Sequence, residues 1–484
     1  MCCIAHTTRV KIIISRKMCL KVFRFLQYFY ICVGLLSCNA KEDRCFCHLS
    51  GQVDDCFCDI ETLEQFNNEK VYPLIQDIIL KDYFRYYKVN LFKPCKFFDG
   101  DVGLCENEAC SVKICPEEDL PKGMRNENFN KNCHEKGTLT ICDSKKMDLG
   151  DVNGTLSNIT KDFLSQWDVH DNTIHRFCDL DDETSADLQY VDLVNNPERY
   201  TGYKGPMAWR IWKSIYEENC FLPEDSNKKK NVMYAPFSQG ENILQVTNGD
   251  LQGMCLEKRV FYRVISGLHT SINTHLSMEY LFEDGWGEKK WGPNLQEFQR
   301  RFDPSITKGE GTARLKNLYF IFLLELRALS KLYLYFKQES IFLFTGRLKE
   351  DKDMKQMLIK LLEVTNNFPM HFDEGVMFKD ENAKSLKIEF AQRFLNVTRI
   401  IDCVTCEKCR LWGKLQTQGL GTALKILFSG EEISGIDNPP FKLLRQEVVS
   451  LVNAFARLSE SIKSLEKFRE LILLQQRSHS KEEL

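Results

Sequence analysis

Cysteine spacing constrains this chain more than any other feature of its sequence. Cys403, Cys406 and Cys409 follow one another at intervals of three residues, which places three sulfurs on one face of a turn or helix. Cys406 and Cys409 form a Cys-x-x-Cys pair, in which one thiolate can attack or resolve a disulfide held by the other. The run therefore indicates either metal ligation or dithiol redox chemistry, and the cellular compartment separates the two.

Both ends of the chain predict the lumen of the endoplasmic reticulum. Residues 1–40 read as a secretory signal, because a basic region precedes an apolar stretch over 25–36 and small residues close it at Ala40. The apolar stretch is too short to span a bilayer, and a signal anchor is the alternative. The tail, 477–484, ends in Lys-Glu-Glu-Leu, one conservative change from a retrieval signal.

The composition agrees with a secreted or lumenal protein. Sixteen of the 21 cysteines follow the predicted signal, and in an oxidising lumen they form a disulfide framework and redox pairs. Three sequons predict N-glycosylation, at Asn153, Asn158 and Asn396. A net charge of −3 gives no indication of nucleic-acid binding.

The apolar pattern predicts an all-α fold in a single domain over 41–476. Residues 315–336 are strongly apolar, but charged residues interrupt them, which favours a buried core helix over a membrane span. Beyond residue 450 apolar residues alternate at spacings of four and three, which marks an amphipathic helix. Packing within a helical bundle explains this helix, and a dimer-forming coiled coil is the sharper alternative. These apolar positions are Leu451, Phe455, Leu458, Ile462 and Leu465.

Two further cysteine groups follow the predicted signal. Cys45-Phe-Cys47 and Cys56-Phe-Cys58 favour a nested staple, Cys45 with Cys58 and Cys47 with Cys56, because neighbours in a Cys-x-Cys do not easily close a relaxed disulfide. A zinc knot of four sulfurs is the alternative.

The second group lies in a loop over about 96–160 that we expect to be mobile. Cys105 and Cys110 flank acidic residues there, and the segment by itself leaves open a structural loop or a labile, catalytic disulfide. Cys115 and Cys142 are nearby partners that can hold Cys110 and Cys105 in an alternative, inactive pairing.

Several long segments resemble the endoplasmic reticulum oxidoreductin (Ero) family. They are YFRYYKVNL (83–91), YVDLVNNPERYTGYKGP (190–206), YRVISGLHTSIN (262–273), the cysteine run 403–409 and RLWGKLQTQGLGTALKILF (410–428). The resemblance covers Cys45 to about Gln475. It implies a helical bundle that encloses FAD and a thiol oxidase that reoxidises protein disulfide isomerase, passing electrons to oxygen and yielding hydrogen peroxide. The cofactor rests on the resemblance alone, since GLGTAL at 419–424 lacks the third glycine of a dinucleotide fingerprint.

The resemblance also implies roles for individual residues. Cys105 and Cys110 match a mobile shuttle pair that exchanges with the isomerase. Cys406 and Cys409 match a fixed pair, with Cys406 receiving exchange from the shuttle and Cys409 nearest the flavin. The implied structural disulfides are Cys95 with Cys403 and Cys220 with Cys255. The implied FAD contacts are Arg199, Thr201, Trp212, Ser266, His269, Arg301 and Arg314, and no metal is implied.

The sequence departs from the family pattern at two points, and it leaves two other functions open. Cys133 is an extra cysteine in the variable loop, and the terminal retrieval signal is absent from some members. The alternatives are a disulfide-rich lumenal scaffold without turnover and a zinc protein that uses Cys403, Cys406 and Cys409. A monomer or a homodimer, and peripheral association with the lumenal face of the membrane, are compatible with the sequence.

Overall fold

Helices carry the core of the computed structural model, and its strands are short. The structure describes residues 51–98, 110–125, 177–181, 187–199, 206–221, 234–237, 241–244, 253–283, 287–339, 341–369, 372–379, 383–428 and 443–482. Its helices are α1 (Ile60–Phe66), α2 (Tyr72–Ile79), α3 (Asp82–Arg85), α4 (Pro206–Lys213), α5 (Leu256–Met278), α6 (Leu295–Phe302), α7 (Pro304–Thr307), α8 (Glu310–Lys331), α9 (Tyr333–Lys337), α10 (Leu348–Asn366), α11 (Ala383–Ile400), α12 (Glu407–Phe428) and α13 (Arg445–Glu482).

The strands form four separate antiparallel pairs. They are β1 (Gln52–Val53) with β2 (Cys58–Asp59), β3 (Tyr86–Val89) with β4 (Gln189–Asp192), β5 (Tyr234–Phe237) with β6 (Glu241–Leu244), and β7 (Tyr280–Glu283) with β8 (Lys289–Gly292). π-helical turns at Asn67–Val71 and Ser214–Asn219 follow α1 and α4. The predicted all-α class is confirmed, because helices form the core and the described strands are short.

The chain divides by its internal contacts into two units, Met1–Cys45 and Phe46–Leu484, and every described residue belongs to the second. No described helix is long and apolar enough to cross a membrane. Several predictions fall outside the described residues: the signal over 1–40, the last two residues of the tail, Cys45, Cys47, Cys105, Cys133, Cys142, Asn153, Asn158 and Thr201. Asn396 lies half-buried on α11.

Helices α5 and α8 pack closely at a glycine. A Cβ atom on Gly267 would lie 2.4 Å from the carbonyl oxygen of Asn317, so only glycine permits this approach. Residues 318–324 of α8 are all fully or almost fully buried, which confirms the predicted core helix. Burial raises the pKa of Glu325, on the same helix, well above its usual range and keeps its carboxyl group neutral.

Helix α13 packs along α12, and its predicted apolar face lies inside the bundle. Leu451, Phe455 and Ile462 on this face are fully buried, and the Phe455 ring stacks on Phe322 of α8 with centroids 5.0 Å apart. A Cβ atom on Gly419 would lie 2.4 Å from the Cβ of Ala454, so the two helix backbones approach closely there. The amphipathic pattern is therefore explained by packing within one chain.

The segment after β3 is tied to the start of α12 by a disulfide. Cys95 and Cys403 are bonded, with their Cα atoms 4.5 Å apart and a sequence separation of 308 positions. This is the pair that the family resemblance implies. Because the bond closes a very long loop, it restricts the unfolded chain strongly and holds the residues before Cys406 in place.

Two predicted staples are not formed in the structure. Cys56 and Cys58 are free, buried thiols in and beside the β1–β2 hairpin, where burial raises the pKa of Cys58 to about 11. Cys220 and Cys255 are also free in the structure, and their pairing stays a prediction from the resemblance. The two thiols differ in their surroundings: Cys220 is buried at the end of a π-helical turn, whereas Cys255 is exposed before the first turn of α5.

Candidate active site

The Cys-x-x-Cys pair lies at the N-terminus of α12. A 3₁₀ turn over Ile401–Cys403 leads into the motif, and α12 begins at Glu407. Cys406 and Cys409 are both buried free thiols, and the Cys409 main-chain N–H donates to the Cys406 sulfur over 3.3 Å. The first N–H groups of a helix have no partner within the helix, so a thiolate at this point is stabilised.

The two thiols of this inner pair differ in acidity. A hydrogen bond from the Cys409 thiol lowers the pKa of Cys406, and the nearby Lys408 ammonium lowers it further. Burial, followed by the hydrogen bond to Cys406, raises the pKa of Cys409 well above its usual range. Cys406 is therefore the more acidic thiol of the pair, and it is the sulfur that loses a proton more easily.

We expect Cys409→Ala to move the titration of Cys406 to higher pH. The substitution removes the hydrogen bond that is the largest cause of the lowered pKa and leaves the burial that raises it. The thiolate absorbance of the reduced protein, followed against pH, measures this change, and Cys406→Ala identifies the transition by removing it. A midpoint that stays in place or moves to lower pH in Cys409→Ala contradicts the assignment.

A segment that follows Cys110 is docked against the start of α12. Cys110 is buried and disulfide-bonded, and no described cysteine is its partner. Two residues later, the Val112 main-chain N–H donates to the Glu407 carboxylate over 2.8 Å. Glu407 directly follows Cys406 in sequence, so this contact joins the two cysteine motifs.

Asn196 and β4 hold the next residues of the docked segment. The Lys113 N–H donates to Asn196 Oδ1 over 2.7 Å, and Asn196 Nδ2 donates back to the Lys113 carbonyl over 2.8 Å. Ile114 bridges to Val191 of β4. These contacts hold residues 112–115 against α12 and β4 in this structure, and the mobility predicted for the loop over 96–160 stays a prediction.

Cys115 is a free thiol, so the predicted inactive pairing of Cys110 with Cys115 is not formed. The Cys115 main chain is fixed by its N–H bond to the Tyr190 carbonyl, 2.8 Å away. The chain over 112–115 follows β4, and each extended residue adds about 3.3 Å of length. A disulfide allows its two Cα atoms to lie at most about 7 Å apart, which this course does not permit.

Buried charges support α12 behind the dithiol. Lys414 Nζ lies 2.5 Å from Asp402 Oδ1 and 3.6 Å from Asp181 Oδ2, and all three side chains are almost fully buried. Trp412, on the same helix, donates its Nε1–H to the Asn196 carbonyl over 2.8 Å. These contacts hold the helix, the disulfide at Cys403 and the turn that carries Asn196 in one arrangement.

Five of the six described residues that resemble FAD contacts lie together. The Trp212 ring stacks on His269 at a centroid distance of 3.6 Å, and Asn317 donates to the Ser266 hydroxyl over 3.0 Å. Burial, with the charges of Arg314 and Arg301, lowers the pKa of His269 well below its usual value. The imidazole is therefore neutral and offers a flat face.

Positive charge next to these rings fits a pyrophosphate. Arg301 is bonded to Asn273 Oδ1 over 2.6 Å and to the Glu297 carboxylate, and Arg314 NH1 lies 3.4 Å from the Arg301 carbonyl. Burial lowers the pKa of Arg301, and the neighbouring cations Arg300 and Arg314 also lower it. An anionic group between these guanidinium groups would relieve that repulsion, so the donor set fits the phosphate and ring portions of FAD.

Arg199 lies apart from this group, at the dithiol. The Cys409 thiol donates to the Arg199 carbonyl over 3.3 Å, and the Arg199 guanidinium lies over the Trp291 ring, 4.4 Å from its centroid. A cavity of about 340 Å³ opens here, lined by Arg199 and Trp412 among others. Inside it Glu198 pairs with Arg457 and accepts from Gln416 over 2.9 Å. The described residues that resemble FAD contacts thus make contacts in two groups, one at the Trp212 and His269 rings and one at Cys409.

Comparison with known proteins identifies the family. Residues 70–465 match the model of the family described as Endoplasmic Reticulum Oxidoreductin 1 (ERO1). The chain belongs to the endoplasmic reticulum oxidoreductin 1 family. ERO1-like protein alpha of Bos taurus is 48% identical over 462 residues, which cover 93% of this chain and 98% of the relative. The Ero1-like protein of Drosophila melanogaster is 43% identical over 453 residues, 88% of this chain and 90% of the relative.

A solved ERO1 structure has the same fold. Ero1p, described as the source of disulfide bonds for oxidative protein folding in the cell, matches with a TM-score of 0.55 at 31% identity. The match covers 86% of this chain and 99% of that one. This ERO1 protein is therefore an oxidoreductase that acts on thiols and has a role in oxidative protein folding.

Sequence reasoning missed the residues that join the site together. Glu407 lies inside the Cys-x-x-Cys motif, and that position is the one signal for it in the sequence. Asn196 and Glu198 lie in the segment 190–206 that carries the family resemblance, but nothing in their spacing shows which sulfur they face. Lys414 lies on α12 and Asp402 just before it, and nothing in the sequence indicated that the two charges pair until the fold brought them together.

Proposed function

We propose that this ERO1 protein is a thiol oxidase of the endoplasmic reticulum lumen that reoxidises protein disulfide isomerase. Electrons pass from the isomerase to Cys105–Cys110, then to Cys406–Cys409, then to FAD and to oxygen, with hydrogen peroxide as the product. The observation that carries the proposal is the buried, asymmetric dithiol with the Cys110 segment docked beside it. The lumenal location rests on the predicted signal and on the Lys-Glu-Glu-Leu tail.

Burial of the inner pair explains why two pairs are needed. Cys406 is fully buried and Cys409 nearly so, and a folded isomerase domain cannot reach them. A pair on a separate segment can meet the isomerase outside and the inner pair inside. We propose Cys105 and Cys110 for this shuttle.

The exchange between the pairs conserves atoms and electrons. A shuttle thiolate attacks the Cys406 sulfur of the oxidised inner pair, the Cys406–Cys409 bond breaks, and its electrons leave on Cys409, which takes up a proton. The second shuttle thiol loses its proton and displaces Cys406 as a thiolate, so the shuttle becomes a disulfide and the inner pair a dithiol. The lowered pKa of Cys406 makes it a good leaving group in this second step.

FAD, when bound, supplies the acceptor for two electrons from the inner dithiol and their route to oxygen. Trp212 and His269 would hold a flat ring, Arg301 and Arg314 a pyrophosphate, and Arg199 the region beside Cys409. Thr201 stays a prediction from the resemblance.

The two alternative functions fit less well. The Cys95–Cys403 disulfide removes one of the three ligands that the zinc alternative requires. Among the described residues no group of three or more metal-binding side chains occurs. A scaffold without turnover gives no reason for the opposite pKa shifts of Cys406 and Cys409. Flavin absorbance in the purified protein, with peroxide formed from reduced isomerase, separates the oxidase from both.

The aromatic stack offers a sharper test of the cofactor site. We expect Trp212→Ala to weaken retention of flavin about ten-fold, because it removes a flat ring from the site. Trp209 on the same helix is the matched control, since it contacts Lys213 rather than His269. Flavin bound per chain after gel filtration measures the effect. Equal retention in Trp212→Ala and Trp209→Ala, or no flavin in the unaltered protein, contradicts the proposed site.

A further inference from the structure

We propose that Glu407 is a docking residue that holds the Cys110 segment against the inner pair while a disulfide passes between Cys110 and Cys406. The proposal rests on the proposed function of the two cysteine pairs and adds a residue to it. In this role Glu407 contacts neither the Cys110 sulfur nor the Cys406 sulfur. It positions one reacting segment by binding its main chain.

The contact lies close in sequence to both reacting residues. Glu407 Oε2 accepts the Val112 N–H over 2.8 Å, with Val112 two residues after Cys110 and Glu407 one residue after Cys406. Because the hydrogen bond is two residues from Cys110 on one side and one residue from Cys406 on the other, it limits how far the two sulfurs can separate. Holding two reactants close raises their effective concentration and so the rate of exchange.

The chemistry of the contact between Glu407 and Val112 suits a segment that must bind and be released. A carboxylate accepting a main-chain N–H forms a charge-assisted bond that is stronger than a bond between neutral groups. Glu407 and Val112 are only half-buried, and Lys113 and Ile114 are exposed, so the segment can leave at a small cost in buried surface. A shuttle pair needs both properties, because it must also meet a partner outside.

Asn196 fixes the neighbouring residue but does not replace Glu407. Its side chain is fully buried, is bonded to Lys113 on both sides, and also donates to the Asp192 carbonyl over 3.0 Å. Asn196 therefore belongs to the rigid scaffold and holds position 113. The bond to Glu407 acts at position 112, on the Cys110 side of position 113.

The negative charge of Glu407 and its docking of the segment would change the rate of exchange in opposite directions. A carboxylate next to Cys406 disfavours the thiolate there, whereas the Lys408 ammonium favours it. If Glu407 acted through its charge alone, its removal would make Cys406 a better nucleophile. If it docks the segment, its removal slows exchange with Cys110. The two roles therefore predict opposite changes.

The test uses the full chain with Cys409→Ala and needs no isomerase, flavin or oxygen. In this background the Cys406 thiolate attacks the Cys110 sulfur of its existing disulfide. The bond between Cys110 and its partner breaks, and the partner sulfur leaves with the electron pair and takes up a proton. The Cys110–Cys406 mixed disulfide then accumulates. After quenching with an alkylating agent, mass spectrometry of the linked peptides gives its rate of formation.

We expect Glu407→Ala to slow formation of the mixed disulfide about ten-fold, the size expected for loss of one hydrogen bond to a charged group. Glu407→Gln loses the charge but keeps an acceptor oxygen, so it should slow the reaction by less than about three-fold. Val112→Pro removes the donor and leaves Glu407 in place, and it should match Glu407→Ala. Combining it with Glu407→Ala should add no further loss, since both remove the same bond.

Two control measurements test whether the effect is specific to docking by Glu407. Glu350→Ala removes an exposed glutamate from the first turn of α10 and should leave the rate unchanged. The reaction of Cys406 with a small neutral disulfide should be equal or faster in Glu407→Ala, which shows that the nucleophile is intact.

The docking role is overturned if Glu407→Ala leaves formation of the mixed disulfide within two-fold or accelerates it. It is also overturned if Glu407→Gln is as slow as Glu407→Ala. No mixed disulfide at all with Glu407 present overturns the shuttle assignment as well. A slow Glu407→Ala in a protein that lacks flavin supports docking while the oxidase proposal fails, so the two failures are distinguishable.

Discussion

Oxygen consumption driven by reduced protein disulfide isomerase is expected to fall by about 1,000-fold or more in Cys406→Ala or Cys409→Ala, the scale seen when a nucleophile is removed from other enzymes. Either change removes one sulfur of the only dithiol that the described residues place beside both the Cys110 segment and Arg199. An oxygen electrode with reduced isomerase as the substrate measures the rate.

Flavin content and fold should be unchanged in both variants, because neither sulfur belongs to the Trp212 and His269 group. Cys178→Ala is the matched control, since Cys178 is a buried cysteine outside both proposed pairs and should keep full activity. Near-normal oxidation of the isomerase by either inner-pair variant would show that electrons take another path.

Cys110→Ala, or Cys105→Ala, is expected to stop turnover with the isomerase and leave slow oxidation of a small dithiol. The isomerase is a folded protein that needs an exposed disulfide, whereas a small dithiol can enter and reduce Cys406–Cys409 directly. The loss with the isomerase should be about 100-fold or more, on the scale of a removed relay step. Parallel assays with reduced isomerase and with dithiothreitol give the two rates.

Equal loss with both substrates would mean that the Cys110 disulfide supports the structure, or that no substrate reaches the inner pair unaided. Thermal unfolding separates these outcomes, because loss of a structural disulfide lowers the midpoint by several degrees and loss of a shuttle does not. Equal retention of activity with both substrates would show that the isomerase reduces the inner pair directly.

The sequence predicts the helical core well, and the reason is local. The apolar spacing at Leu451, Phe455 and Leu458 and the long apolar run before Phe336 depend on neighbours three and four residues away. The buried faces of α13 and α8 follow from these patterns. The disulfides were predicted less well, because pairing depends on where distant Cβ atoms point. Cys95 and Cys403 meet across 308 residues, whereas Cys220 and Cys255 remain apart.

The candidate site likewise has features that the sequence predicts and features that appear only in the fold. The spacing of Cys406 and Cys409 marks a redox pair, but it does not say which sulfur is the thiolate. That difference arises from the hydrogen bond between the two sulfurs, from burial and from the Lys408 charge, which the folded chain brings together. The Cys105–Cys110 segment reads as labile or structural from its own residues, and its contact with Glu407 appears only in the fold.

The sequence by itself determined the helical class, the two cysteine motifs and the family, since each is carried by residues close together in the chain. The tertiary structure alone decided that Cys406 is the more acidic sulfur, that residues 112–115 dock on Glu407 and Asn196, and that Trp212 meets His269. Hydrogen bonds and pKa shifts depend on distances of a few ångström between side chains far apart in sequence. Such distances are set by the packing of the whole bundle and leave no local pattern in the chain.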